Sequence, residues 1–265
     1  MLYVGVDAHK TTSHVTVMDG AGKVLQRTQV PTSLRGLHEA LDAYDEPMKA
    51  VVEASHGWGP IYDWLDDLTD EVILAHPAKV RAIADARIKT DKIDSETLAH
   101  LLRSNLIPAA YAPSKGTRAV KRVLGQRMFL VRVQIMMKNR IHALLHQHSL
   151  EPPATSDLFG RVGLAWLRTV ELPASDHNVL DSDLTLLSVI KERIRATNAL
   201  LDELSAGDEA IQWLRSLPGI GDFFSVLIRY EVDDIDRFPS AKRSRVTPGW
   251  CPPHTPLESG CCTAG

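Results

Sequence analysis

Four acidic residues in the first hundred positions have the types and spacing of a metal-binding set. Asp91 and Asp94 lie three residues apart, just before a segment of helical periodicity, so their side chains share one helix face. Two strand-like runs upstream each end in an acid, at Asp7 and at Glu53. Four converging carboxylates repel one another and lose hydration unless hard divalent cations neutralise them. The pattern therefore predicts a Mg²⁺ (or Mn²⁺) site formed by these four side chains.

Each of these acids also has an ordinary structural explanation. Asp91 can cap a helix N-terminus, and Asp94 occupies the position of a capping-box acid. Asp7 can be a turn residue at a strand end, and Glu53 can be a loop acid before the sequence Ala-Ser-His-Gly. The order of the acids favours the metal site: one follows the first strand, one follows a later buried strand, and a pair begins a following helix.

Residues 1–110 have the element order of an α/β domain. Residues 3–7, 14–18 and 23–30 alternate as three antiparallel strands, with a tight turn at Asp19-Gly20-Ala21-Gly22. A helix capped by Ser33 follows, with apolar positions as far as Tyr44. Next come a buried strand at 49–53, a helix opened by Gly57 and Gly59, a strand at 71–75 and a helix started by Pro77. The sequence thus predicts a sheet of five strands with helices between the later ones.

Five short motifs extend from residue 5 to residue 241. They are Gly-Val-Asp-Ala-His-Lys at 5–10, Val-Glu-Ala at 52–54, Lys-Thr-Asp-Lys-Ile-Asp at 89–94, Leu-Pro-Gly-Ile-Gly at 217–221 and Arg-Phe-Pro-Ser-Ala at 237–241. With them the chain resembles the RuvC-like nuclease core of the RNase H fold, specifically the D-E-D-D transposases of insertion sequences related to the Piv DNA invertases. In such a sheet the first strand is central, which would place Asp7 in the middle of the site.

The resemblance implies a function and a set of partners. In that family the four acids, here Asp7, Glu53, Asp91 and Asp94, are catalytic and hold about two Mg²⁺ ions at a phosphodiester. A serine nucleophile in a C-terminal domain completes the reaction, and a guide RNA recognises both DNA partners. We therefore expect a transposase or site-specific recombinase that cleaves and exchanges DNA strands. Two alternatives are a non-catalytic nucleic-acid-binding remnant and a nuclease of the Holliday-junction-resolvase type.

A long basic segment supplies the candidate nucleic-acid surface. The net charge of the chain is -3, which argues against a uniformly basic binder, but no acid occurs from Lys115 to Leu150. A solvated helix face is the alternative explanation. Contacts of this kind would position phosphates without reading sequence. The basic residues of this segment that we assign to nucleic acid are Lys115, Arg118, Lys121, Arg122, Arg127, Arg132, Lys138 and Arg140.

Two long helical patterns follow the α/β domain, at 117–146 and at 180–204. In the second, apolar residues recur at alternating spacings of three and four, which is typical of a coiled-coil seam. A stretch rich in Pro and Gly at 151–173 lets the two helices fold back as an antiparallel hairpin or reach a second protomer, so we expect a homo-oligomer through the coiled coil. The seam consists of Leu180, Leu184, Leu187, Ile190, Ile194, Thr197, Leu201 and Leu204.

Residues 211–242 contain a glycine-bearing turn before an apolar helix. Gly219 and Gly221 would let backbone N–H groups approach a phosphate, as in a helix-hairpin-helix element, although a plain helical turn is the alternative. We predict domains at 1–110 (RuvC-like), 115–206 (helical, coiled coil) and 211–242 (start of a partial helical C-terminal domain), followed by a tail at 243–265. No apolar run approaches the length of a membrane span, and a cytoplasmic setting is expected.

The tail at 243–265 departs from the family pattern. All three cysteines and four of the fifteen prolines lie there. The family has Leu-Ala-Ser-Tyr-Ala-Gly-Leu-Val-Pro and then a Ser-Gly-Gly stretch with the nucleophile, and a two-base shift of the reading frame can convert that sequence into the Arg-Ser-Arg-Val-Thr-Pro-Gly-Trp-Cys-Pro found at 243–252. We predict a frameshift near Lys242, a disordered tail and no serine nucleophile, Ser259 being a coincidental match. A zinc site is disfavoured because the spacing of its candidate ligands, Cys251, His254, Cys261 and Cys262, matches no common zinc pattern.

Overall fold

The computed structural model describes residues 1–87 and 95–238. The chain divides into two compact units, Met1–Ala112 and Pro113–Gly265. The first is an α/β unit and the described part of the second is helical, as the sequence predicted. The finer domain boundaries at 110, 206 and 242 stay predictions, and the tail at 243–265 lies outside the described residues.

The first unit is built on a mixed sheet of five strands. These are β1 (Leu2–Ala8), β2 (Thr12–Met18), β3 (Val24–Pro31), β4 (Met48–Glu53) and β5 (Glu71–Ala75). Their order across the sheet is β3-β2-β1-β4-β5, with β1, β2 and β3 antiparallel and β4 and β5 parallel to β1. The expectation that the first strand is central is confirmed, and the order is compatible with an RNase H-like sheet.

The helices of this unit are α1 (Leu34–Leu41), α2 (Trp58–Leu68), α3 (Pro77–Arg87) and α4 (Ser95–Arg103). Ser33 caps α1 as predicted, since its hydroxyl accepts a hydrogen bond of 3.1 Å from the backbone N–H of Gly36. The extension of α1 to Tyr44 is wrong, because the helix ends at Leu41. Tyr44 nevertheless packs against the core, and its hydroxyl donates a hydrogen bond to the Gln26 side chain.

The two faces of the sheet are covered by different helices. Val6 and Val52 point to the face that α1 and α2 cover through Leu37 and Leu65. Alternate residues point the other way, and Val51 packs there with residues of α3 and α4, among them Val80, Leu98, Leu101 and Leu102. Asp7 follows Val6 and Glu53 follows Val52, so both acids point to the face that α3 and α4 cover.

Gly5 allows α4 to approach the sheet closely. A Cβ atom on Gly5 would lie 1.9 Å from the Ser95 backbone oxygen and 2.7 Å from the Ala99 nitrogen. The contact is reinforced by a buried hydrogen bond of 2.8 Å between the hydroxyls of Thr16 and Ser95. The first turn of α4 is thus fixed on β1 two residues before Asp7.

The second unit consists of helices α5 (Lys115–Gln147), α6 (Arg161–Leu167), α7 (Ala174–Leu204), α8 (Glu209–Arg215) and α9 (Asp222–Val232). Helix α6 was not predicted, because the Pro- and Gly-bearing stretch around it suggested a loop. Helix α7 starts six residues before the predicted one, directly after Pro173. Within the described residues, no helix is both long and apolar enough to cross a membrane.

Helices α5 and α7 pack side by side in antiparallel directions. Three polar pairs mark the register: Arg127 with Asn198, Arg140 with Asp183, and His148 with Asp176. Five of the predicted seam residues pack against α5 and the 158–170 segment of the same chain: Leu180, Leu184, Leu187, Ile190 and Ile194. Of the two arrangements left open by the sequence, the structure has the hairpin, and a coiled coil with a second protomer stays a prediction.

Candidate active site and nucleic-acid surface

Asp7 and Glu53 are brought together at the C-terminal ends of β1 and β4. These strands are parallel neighbours, and their pairing runs in register up to Val6 opposite Val52. The next residue on each strand is one of the two acids, so the carboxylates leave the sheet side by side on the face of α3 and α4. Neighbouring strands lie about 4.8 Å apart, which places the two carboxylates within the reach of one cation.

The electrostatics of this pair are those of an acid cluster. Partial burial, and after it the negative charge of Asp7, raise the pKa of the Glu53 carboxyl above its usual range. The guanidinium of Arg81, on α3, partly offsets this rise. Asp7 itself is 3.4 Å from the Nε2 atom of His9. A divalent cation would relieve the repulsion between Asp7 and Glu53, and two hard oxygen donors are the ligands that Mg²⁺ prefers, so the residues present fit such an ion.

The other two predicted ligands, Asp91 and Asp94, lie outside the described residues. Ser95, which follows Asp94 in the sequence, is the first residue of α4 and is the one that contacts Gly5. Across residues 1–87 and 95–238, no group of three or more potential ligands is assembled. The four-carboxylate site therefore stays a prediction, of which the structure describes two members.

A cavity opens beside Asp7, over β2 and β3. It has a volume of about 320 Å³ and is lined by Asp7, His14, Arg27, Gln29 and Glu96 among others. Arg27 forms an ion pair with Glu96 of α4, which closes one side. His14 lies directly opposite Asp7 on the neighbouring strand, and its ring contacts that of His9 edge-on at a centroid distance of 6.0 Å.

The basic residues of α5 do not form one continuous surface. Three of the eight, Lys115, Arg122 and Arg132, are exposed and form no ion pair with another described residue. Arg118 is half-buried and has an interaction of its own. The remaining four contact other residues of the second unit, and the nucleic-acid surface on α5 stays a prediction.

The engaged residues contact acids, an amide or aromatic rings. Lys121 is 3.1 Å from Glu231, and Arg140 is 3.2 Å from Asp183, whose side chain is buried. The guanidinium of Arg127 lies 3.9 Å from the centre of the Phe223 ring, and burial lowers its pKa. Lys138 lies 5.0 Å from the centre of the Phe159 ring. The four engaged residues are thus Lys121, Arg127, Lys138 and Arg140.

The turn with Gly219 and Gly221 joins α8 to α9. Gly219 has a φ of 87°, a conformation that glycine adopts without strain, and Gly221 directly precedes α9. The first residue of α9, Asp222, pairs with Arg215 at 3.1 Å. A phosphate at this helix N-terminus would meet that carboxylate, so the helix-hairpin-helix assignment stays a prediction.

Three residues near the carboxylates were not singled out from the sequence. They are His14, Gln29 and Arg81. The turn at residues 19–22 joins β2 to β3 and so signals that Gln29 lies opposite His14, whereas the pairing of His14 with Asp7 belongs to the separate hairpin of β1 and β2. Arg81 approaches Glu53 only through the packing of α3, which has no sequence signature.

Comparisons with known proteins identify the family of the chain. A family model named DEDD_Tnp_IS110 and described as a transposase matches residues 4–150, more than half of the chain. The protein y4qE of Sinorhizobium fredii (strain NBRC 101917 / NGR234), which carries a transposase name, is 23% identical over 246 residues, 91% of this chain and 60% of y4qE. The transposase for insertion sequence element IS1533 of Leptospira borgpetersenii is 23% identical over 245 residues, 88% of this chain and 70% of that protein.

The matched region contains residues of both units. Residues 4–150 include β1 with Asp7 and β4 with Glu53 in the first unit and the basic helix α5 in the second. The chain spans 60% of the length of y4qE. On the extent of the family match, the chain belongs to the DEDD transposase family of the IS110 type.

Proposed function

We propose that this chain is the transposase of an insertion sequence and acts as a metal-dependent DNA recombinase. The observation that carries the proposal is the pair Asp7 and Glu53, side by side on neighbouring parallel strands in a member of the DEDD family. Asp91 and Asp94 complete the acid set of the proposal. The substrate is DNA, at the ends of the element and at its target.

The proposed metal site holds about two Mg²⁺ (or Mn²⁺) ions, which in such sites activate the attacking oxygen and stabilise the leaving oxygen of a phosphodiester. Asp7 and Glu53 supply two of the oxygen ligands from rigid strand ends. Because burial and the charge of Asp7 raise the pKa of Glu53, an ion that binds there also drives the loss of any proton on Glu53. Metal affinity should therefore fall as the pH is lowered.

The experiment compares DNA cleavage by the full chain in Mg²⁺ and in EDTA, with calorimetry of Mn²⁺ binding as a second measurement. Asp7→Ala should abolish both DNA cleavage and Mn²⁺ binding. Asp67→Asn is the matched control, because Asp67 is an exposed acid on α2, on the other face of the sheet. Mn²⁺ binding that is unchanged by Asp7→Ala would show that the site is assigned to the wrong residues.

The exposed basic residues of α5 support nucleic-acid binding through phosphates. Affinity should then fall steeply with salt, because each neutralised phosphate contributes about 0.7–0.9 to the slope of log K against log salt concentration. Charge reversal at Lys115, Arg122 and Arg132 should weaken the binding of unrelated sequences about equally. Reversal at Lys121 should instead destabilise the second unit, because Lys121 pairs with Glu231. Binding that ignores salt contradicts this part of the proposal.

The proposed activity stops short of strand transfer. If a frameshift near Lys242 replaced the serine region, metal and DNA binding survive, but no serine is present to form a covalent DNA intermediate. The tail that this concerns lies outside the described residues. Sequencing the gene and its downstream bases tests the idea, which fails if the second frame does not continue with a Ser-Gly-Gly region. A chain without strand transfer would act as a nucleic-acid-binding remnant.

Two partners of the proposal are a guide RNA and a second copy of the chain. The guide RNA is implied by the family resemblance alone. A homo-oligomer through the seam of α7 requires that a second copy take the place of α5, because Leu180, Leu187 and Leu201 are buried within the chain. Light scattering of the full chain, with and without RNA, measures the mass of the assembly and so tests both RNA binding and oligomer formation.

A further inference from the structure

A row of polar side chains crosses three strands beside the carboxylates. Asp7 on β1 lies opposite His14 on β2, and His14 lies opposite Gln29 on β3. Directly opposed residues of antiparallel strands point to the same face, so all three lie on the face of α4. His14 and Gln29 are exposed, and the side-chain amide of Gln29 forms no hydrogen bond with another described residue.

The row forms one wall of the cavity over β2 and β3. Its floor includes Thr16, which is held by Ser95, and its far side is the ion pair of Arg27 with Glu96. The cavity is open to solvent at His14 and Gln29, which offer hydrogen-bond donors on its rim. A ligand in the cavity can therefore contact these donors and Asp7 together.

Arg81 occupies the opposite side of the carboxylates. It lies on α3, directly after Val80, which is fully buried and packs in the same cluster as Val51, two residues before Glu53 on β4. Its guanidinium influences Glu53, yet it forms no ion pair with any described residue and is exposed. A cation near Glu53 that has no ion-pair partner among the described residues is available to an anion that approaches this carboxylate.

We propose that a nucleic-acid strand lies across the C-terminal edge of β1, with Gln29 and His14 binding its phosphates on one side of the carboxylates and Arg81 binding them on the other. The inference rests on the proposed function and adds the path of the substrate to it. The two carboxylates repel a polyanion. The donors of Gln29 and His14 and the cation of Arg81 would hold the strand in place against that repulsion.

The dimensions of the path suit a short stretch of strand. Gln29, His14, Asp7 and Glu53 lie on four successive strands of the sheet, β3, β2, β1 and β4. The fifth strand, β5, leads into α3, which carries Arg81. Four strand spacings of about 4.8 Å amount to about 19 Å. One strand of a duplex carries a phosphate about every 3.4 Å along the axis, so about six phosphates span the path, with the carboxylates near its middle.

The test measures the binding of a short fluorescein-labelled DNA strand to the full chain by fluorescence anisotropy in EDTA, at a fixed alkaline pH. The variants are His14→Ala with Gln29→Ala, and Arg81→Gln. Both are made in a background with Lys115, Arg122 and Arg132 reversed in charge, so that α5 contributes little to the affinity. We expect the dissociation constant to rise about tenfold for each variant.

Salt dependence separates the two kinds of contact. Arg81→Gln should lower the slope of log K against log salt by about 0.7–0.9, and Arg81→Lys should restore it, because lysine also contacts phosphates as a point charge. The double variant at His14 and Gln29 should lower affinity with the slope unchanged. A slope that Arg81→Gln leaves unaltered overturns the assignment of Arg81.

Matched controls lie on the other face of the sheet. Arg35→Gln and His38→Ala remove an exposed arginine and an exposed histidine from α1, and they should leave binding unchanged. If the chain cleaves DNA with Mg²⁺ but the variants bind as tightly as these controls, the path is wrong and the proposed function stands. If the unmodified chain neither binds nor cleaves DNA, both are overturned. Thermal unfolding of each variant establishes that the loss is not one of folding.

Discussion

The close approach of α4 to β1 makes Gly5→Ala the most informative single substitution. The new Cβ would lie 1.9 Å from the Ser95 backbone oxygen, whereas ordinary contacts begin at 3.4 Å, so α4 must retreat by about 1.5 Å. The obstructing atom is backbone and cannot rotate away. Overpacking of this kind costs about 3 kcal/mol at the upper end of its usual range. Loss of the buried hydrogen bond between Thr16 and Ser95 adds about 1 kcal/mol.

The assay is urea unfolding of the full chain, followed by a signal from the first unit. Gly5→Ala should lower the free energy of unfolding by about 3 to 4 kcal/mol. Gly20→Ala is the matched control, because a Cβ there meets nothing within 4 Å, and it should change stability by less than about 0.5 kcal/mol. Equal stabilities of the two variants would refute the argument that glycine at position 5 allows the helix to dock. Mn²⁺ affinity should fall with Gly5→Ala, since α4 follows directly on Asp94.

Three further predictions concern the charges and the core. Glu53→Gln should stabilise the metal-free chain at neutral pH, because the folded state raises the pKa of Glu53 and so disfavours its ionised form. The contribution of Glu53 to stability is fully present below its unfolded pKa and is lost as the pH rises through its folded pKa. Urea unfolding should therefore show that the gain from Glu53→Gln shrinks as the pH falls toward about 4. Leu187→Ala should cost about 2–5 kcal/mol in the same assay, whereas the neighbouring Leu186→Ala should cost little, since these side chains are 1% and 52% exposed. Arg140→Ala should destabilise the second unit by about 1–2 kcal/mol by leaving the buried Asp183 carboxylate unpaired, and an Asp183→Asn background should reduce that loss.

Much of the fold follows from local patterns. The alternation of apolar residues and the turn at 19–22 predicted the three-stranded hairpin structure, and Ser33 predicted the start of α1. Helix ends were less well predicted: α1 stops before Tyr44 because the chain turns there to let that ring pack on the core, and α6 forms in a stretch whose prolines and glycines suggested a loop. In both cases packing overrode the local signal.

The residues of the site divide in the same way. The positions of Asp7 and Glu53 at strand ends were readable from the sequence, because a strand that ends in an acid has a distinct pattern. Which basic residues of α5 remain exposed was not readable, since charge and spacing do not show that Arg140 meets Asp183 or that Arg127 covers Phe223. Those partners lie 43 and 96 positions away in the chain.

The sequence by itself determined the element types, the family and the acids at the ends of β1 and β4, since each depends on residues close together in the chain. The tertiary structure decided which strands are neighbours, that the seam of α7 packs on α5, and that Arg81 lies near Glu53. The physical reason is that such contacts join residues far apart in sequence. Their free energy depends on packing and charge in three dimensions, which no local pattern records.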